Sequence, residues 1–158
     1  MLGRARTLLR EVRHVAIATV NADGSPHCSP VFMVFDGQLR GLWSSGPQSL
    51  HSHNINRTGQ AFLVLFRSDT GGGLYIQARA SQVGETELEQ AYAVYASSGH
   101  PVGDLSAYSN GAPQRLYQAI PMQLWVNQSE KDAHGIIIRD SRVEIPLDQL
   151  IPFRNLHK

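Results

Sequence analysis

Cysteine is almost absent: Cys28 is the only one in 158 residues. An intrachain disulfide is excluded, and with it the small disulfide-stapled secreted scaffold. Net charge is also nearly absent, at +1 with histidine neutral. No overall basic field calls for nucleic acid, although a local basic patch stays open. No apolar run approaches the roughly 20 residues of a membrane span. The opening MLGRARTLLREVR carries arginines throughout and no apolar stretch of signal-peptide length, so the expected location is the cytoplasm. There is no HExxH and no cysteine cluster, so the seven histidines suggest no zinc site. SDTGGG lacks the Gly-Lys-Ser/Thr ending of a phosphate loop and reads as a hairpin turn.

What is present is an ordinary globular composition, 42% hydrophobic and 17% charged. One domain over residues 1–158 is expected, and a chain of this length can bury roughly 70% of its unfolded surface. Residues 2–12 place Leu2, Ala5, Leu8, Leu9 and Val12 near helical spacing among arginines. Such a basic amphipathic helix either docks on the domain or touches a membrane or phosphate. His14 to Asn21 alternates like a strand, Asp23-Gly24 signals a hairpin, and His27 to Phe35 returns. Pro30 inside that run predicts a bulge or an edge. A second Asp-Gly turn at 36–37 leads to a strand over Gln38 to Ser45.

Pro47 suits the first turn of a helix capped by Ser44 or Ser45, and Gly59 suits its end. Gln60 to Arg67 is nearly all apolar and predicts a strand buried on both faces. Leu74 to Val83 alternates. Glu85 to Ala96 reads as a helix with acids in its first turn. A long loop follows, then a strand over Arg115 to Asn127 broken or bulged at Pro121. Gly135 to Ile145 adds a further strand with a turn near Asp140-Ser141. Six or so short strands joined by hairpins, with two short helices, imply a mostly β (α+β) domain closing into an antiparallel barrel.

The order of these blocks is informative. HVAIATVNADGSPHCSPVFMVFDGQLRGLWSS, a short helix containing SLHSHNI, the strand AFLVLF, then GGGLYIQARASQV and RLYQAIPMQLWV resemble the core of the pyridoxamine 5'-phosphate oxidase-like split barrels over roughly residues 10–128. The resemblance implies a six-stranded split barrel that forms a homodimer with a cofactor cleft between subunits. Most characterised members bind FMN; others use a deazaflavin, bind haem, or bind nothing known.

Carried over by position, Ser29, Pro30 and Val31 would lie beside the flavin ring, unless Ser29 and Pro30 only shape a bulge. Ser44, Ser45, Ser49 and His51 fall where the family grips the ribityl phosphate. The family helix commonly reads serine, any residue, lysine, small, arginine, asparagine. Here it reads Ser49, Leu50, His51, Ser52, His53, Asn54, with histidines for the lysine and arginine. If either histidine holds a phosphate, affinity should be strongest at mildly acid pH. Arg57, Arg67 or Arg79 could compensate for the missing charge. Asn54 either contacts the cofactor or bonds nearby backbone. Gln77, on one face with Arg79, either approaches the flavin or faces solvent. Trp125 either covers a flavin edge or is a core aromatic. Cys28 reads as a small strand residue rather than a nucleophile.

The resemblance therefore implies an FMN-dependent oxidoreductase with an undefined small-molecule substrate and no assignable catalytic base. The alternatives are a deazaflavin-dependent reductase or a non-catalytic protein that binds haem or another planar ligand. His51, His53 and His100 prompt the last. No membrane or nucleic-acid partner is expected.

Overall fold

The computed structural model describes residues 1–69 and 72–153; Thr70 and Gly71 of the SDTGGG turn lie outside the described residues. Alternation in HVAIATV produces β1 (His14–Val20), which buries Val15, Ile17 and Thr19. At the first hairpin Asp23 accepts the Ser25 amide at 2.9 Å, and Gly24 takes a φ of 85°. β2 (Pro26–Phe32) returns antiparallel with Ala18 opposite Cys28. It pairs with β1 alone, so the missing amide of Pro30 breaks no second ladder.

The run then splits at Met33, whose amide bonds the Arg13 carbonyl. β3 (Val34–Phe35) pairs instead with β4 (Gly41–Ser45). In the turn between them the left-handed residue is Leu39, with a φ of 62°. Asp36 holds that turn by accepting the Gln38 and Arg40 amides at 2.8 and 2.9 Å.

β5 (Gln60–Phe66), β6 (Gly73–Gln82), β7 (Arg115–Lys131) and β8 (Ile137–Glu144) complete the sheet. The strand order is β2-β1-β5-β6-β7-β4-β3, with β8 added to β7. Among the described residues there are eight strands, because Met33 divides one expected run in two and β8 supplies the further strand expected over Gly135 to Ile145. The six-stranded core is otherwise the antiparallel split barrel expected. β7 is bulged opposite Gln77 and Ala78, at Pro121 and Met122. β8 runs straight through Asp140-Ser141, where a turn was expected. The turn lies at Asp132–Gly135, because Asp132 accepts the His134 and Ile136 amides at 2.9 Å each.

α1 (Leu2–Glu11) buries Ala5, Leu8 and Leu9 where β5 ends and β6 begins, so it is a docked terminal helix. α2 (Leu50–Thr58) covers the opposite end, beside the end of β1 and the start of β2. Its cap is Ser49, which accepts the Ser52 amide, and Gly59 ends it in left-handed geometry; Pro47 stands in the preceding turn. α3 (Glu85–Ala96) packs outside β4 and β7 over a second small core containing Leu42, Leu116, Tyr95 and Tyr108.

Trp43 and Tyr117 stack at 5.7 Å in the barrel centre, both fully buried among Ile17, Leu63 and Leu65. The barrel middle is thus filled with side chains, which leaves ligand sites to its ends and outer surface. β5 corrects an expectation. Only Ala61, Leu63 and Leu65 are buried; Phe62 and Val64 are half-buried and Phe66 is 57% exposed. Among the described residues no helix covers the outer face of the β2-β1-β5-β6 stretch, so one side of this apolar strand is left uncovered by them.

Candidate functional site

At the α2 end of the barrel, four elements deliver polar side chains to one place. β4 ends in Ser45, whose Oγ meets His51 Nε2 at 2.7 Å and Ser49 Oγ at 3.1 Å. Ser49 in turn donates to Ser52 Oγ at 2.8 Å. Asn54 donates to Thr19 Oγ1 at 3.0 Å and to Asn21 Oδ1 at 2.9 Å. On β2, His27 Nε2 meets Ser29 Oγ at 2.9 Å. His27 pairs with Thr19 across the ladder, so both face this end. His51 and Ser45 are each only 8% exposed. Burial, with a smaller repulsion from His27, holds the His51 imidazole below its ordinary range. The cluster is therefore rich in hydroxyls, and burial disfavours a charge on His51.

A cation borders its Ser45 side. Arg115 opens β7 directly opposite Ser45, so the two side chains share a face. Its Nη1 donates to the carbonyls of Ala112 and Gln114 at 2.5 and 2.8 Å. The Pro113 carbonyl of the same turn would stand 3.8 Å from a Cβ on Gly46. The 112–114 turn thus lies against the β4–α2 junction.

The second feature is on the outer sheet face. A groove of about 330 Å³ runs between Ala18, Val20, Pro26 and Phe62, with Gln60 and Gln77 among its polar groups. Ala18, Phe62 and Gln77 are successive cross-strand partners, so they form one continuous row. Phe62 also packs against Tyr75 at 6.3 Å and Trp125 at 6.4 Å. Arg142 lies 3.8 Å above the Tyr75 ring and borders this aromatic group. Among the described residues no three His, Cys, Asp or Glu side chains gather into a metal-holding group. Among them too, no helix is long and apolar enough to cross a membrane.

Comparison with known proteins fixes the lineage. Residues 1–123 match the family described as pyridoxamine 5'-phosphate oxidase. The chain belongs to the pyridoxamine 5'-phosphate oxidase family. No curated protein matches it. Solved structures resemble it at low identity. A protein of unknown function from Agrobacterium tumefaciens is 20% identical with a TM-score of 0.68, over 90% of this chain and 60% of that one. The chain thus spans only 60% of that relative's length. HutZ, the haem storage protein of Vibrio cholerae, is 22% identical with a TM-score of 0.63, over 78% and 92%. An F420 reductase is 15% identical with a TM-score of 0.57, over 75% and 94%. These likenesses concern the fold.

Against the oxidase-family pattern, the structure sorts the sequence-derived residues into separate groups. Ser45, Ser49 and His51 come together in one hydrogen-bonded cluster, with Asn54 beside it. Asn54 uses its amide on side chains of β1 and the following turn, not on backbone. Ser29 joins the same end through His27. Pro30, Gln77 and Trp125 lie on the outer face, and Gln77 lines the groove. Trp125 is half-buried there rather than in the core. Two residues stand apart. Val31 faces inward into the main core. Ser44 points to the opposite side of β4 from Ser45, donating to Gln114 Oε1 at 3.4 Å and contacting Tyr95, whose hydroxyl is pushed up by burial. His53 is exposed and meets Gln48 Oε1 at 3.1 Å. Sequence reading overlooked His27 and Arg115, because cross-strand register alone reveals them.

Proposed function

We propose that the protein is a homodimeric, FMN-binding oxidoreductase acting on a small molecule, one split-barrel domain over residues 1–158 working in the cytoplasm. The observation that carries this reading is the apolar outer groove ending in the Gln60 and Gln77 amides. Its volume lies in the range of small-molecule sites, and its chemistry suits a ring with apolar faces and a polar edge. The open apolar surface around it supports a second copy as cover: Val20 is 48% exposed, Phe66 57% and Ile120 44%.

The residues present fit a flavin at both ends. Pro30, Phe62, Gln77 and Trp125 would border the ring. Ser45 and Ser49 would meet the ribityl phosphate, with Asn54 bracing α2 from behind. His51 would act through Ser45, fixing the direction of its hydroxyl. When bound, the flavin supplies hydride chemistry, and the chain need only bind, orient and keep water from the ring.

A second reading, a haem or other planar-ligand protein without turnover, is favoured by one observation: His51, where the family has a lysine, is a buried imidazole at the α2 end, with the His27 imidazole on the same end of the barrel. HutZ, a fold relative, is described as a haem storage protein. The F420 reductase similarly keeps a deazaflavin in view. Parallel titration with FMN, deazaflavin and haem tests the choice. FMN binding at low micromolar concentration with bleaching on reduction is expected. Haem binding without flavin binding would overturn the oxidoreductase reading.

A further inference from the structure

The Ser45, Ser49 and His51 cluster holds hydroxyls, burial disfavours a charge on His51, and an anion there needs a counter-charge. Most arginines are committed elsewhere. Arg40 is paired with Asp36, and Arg67 with Glu11 and Asp69. Arg57 sits in the last turn of α2, eight residues from the Ser49 cap, and donates to the Val20 carbonyl. At about 1.5 Å per residue that is roughly 12 Å along the helix. Arg79 is exposed on β6, outside the barrel.

Arg115 differs in both place and state. Cross-strand pairing sets its side chain beside Ser45, on the face of β4 that carries the cluster. Two backbone carbonyls of its own turn hold Nη1, which fixes the guanidinium plane. Nε and Nη2 meet no acceptor among the described residues, and no carboxylate pairs with this arginine. A guanidinium anchored on one side, with three N–H donors free on the other, is arranged for a multidentate oxyanion.

We propose that Arg115 is the cation of an anion subsite at the β4–α2 junction, holding the phosphoryl group of the bound cofactor together with Ser45 and Ser49. The subsite rests on the flavin reading only for the identity of its ligand. The charge that this family ordinarily places on the helix is thus supplied from the start of β7.

FMN and riboflavin, which differ by one phosphoryl group, separate the two questions. Each is titrated against the unaltered dimer, Arg115→Gln and Arg115→Lys. Thermal melting is followed with and without millimolar inorganic phosphate. The unaltered protein should prefer FMN over riboflavin by about 10- to 100-fold, the scale of charge-assisted hydrogen bonds. Arg115→Gln should bind both alike, with riboflavin affinity unchanged. Arg115→Lys, which keeps the charge but loses the fork, should fall between, and it serves if the glutamine variant does not fold. An undiminished FMN preference in either variant would overturn the proposal. If neither flavin binds the unaltered protein, the flavin reading fails and phosphate alone decides. A phosphate-induced rise in Tm that Arg115→Gln abolishes sustains the subsite; no rise, or an equal rise in the variant, overturns it.

Discussion

At the barrel end under α2, the polar side chains are already joined to one another: Ser45 to His51 and Ser49, Asn54 to Thr19 and Asn21, His27 to Ser29. On the outer sheet face the reverse holds, and among the described residues no element covers Val20, Val64 and Phe66. The first region is rigid before any ligand arrives, because its hydrogen bonds are made within the chain. The second is incomplete, because apolar surface of this kind is stable only when something lies on it. A ligand at the α2 end must add to an existing network, whereas one on the sheet face gains from being enclosed, best by a second copy.

The largest expected effect comes from charging the open face. Val64→Asp sets a carboxylate in its middle, and burying an unpaired charge costs several kcal/mol. Light scattering should show the dimer mass halved while circular dichroism is unchanged. An intact dimer would mean that copies meet elsewhere. Next comes the closed network. Asn54→Ala removes one buried and one part-buried hydrogen bond and leaves Thr19 short of a partner, at about 2 kcal/mol. For a chain of this size that lowers Tm by roughly 4–8 °C. A loss below half a degree would show that the network does not hold α2 in place.

The third effect is a pH dependence. Burial keeps the folded His51 below its ordinary pKa, so as pH falls through about 6.5 the unfolded chain takes up the proton first. The His51 contribution is complete above that value and is lost as pH falls toward the depressed folded one. Urea unfolding at pH 7.5 and 5.5 should show this slope, and His51→Gln should flatten it. Equal slopes in both proteins would place the acid sensitivity in other groups. The smallest effect is at Arg142, whose guanidinium covers Tyr75 in partly exposed surroundings. Arg142→Ala should cost no more than about 1 kcal/mol, read from the same urea curves. A larger loss would make β8 a structural clamp on the outer face.

The two regions also differ in how much of them the sequence disclosed. Period-two alternation and the Asp-Gly turns gave the strands, and the short helix was legible from its Gly59 end, although it starts at Leu50 behind a Ser49 cap rather than at Pro47 behind Ser44 or Ser45. β5 was misread because a run of apolar residues looks the same whether its second face is covered by the chain itself or awaits a partner. The break at Met33 was invisible, since only closure of the barrel requires one run to pair with β1 and then with β4. In the site, Ser45, Ser49 and His51 were readable from the helix start. That Ser44 turns away from them follows from strand alternation once β4 is placed. Arg115 was hidden by distance: 70 residues separate it from Ser45, and only the β4–β7 register brings them together.

The most direct measurement is gel filtration with light scattering and an absorbance spectrum across the eluting peak, after incubation with FMN. A peak of twice the chain mass carrying flavin bands, with the Val64→Asp monomer colourless, is the predicted result. A flavin-free dimer, or a monomer that keeps the flavin, would contradict a cofactor site completed between two copies on the open sheet face.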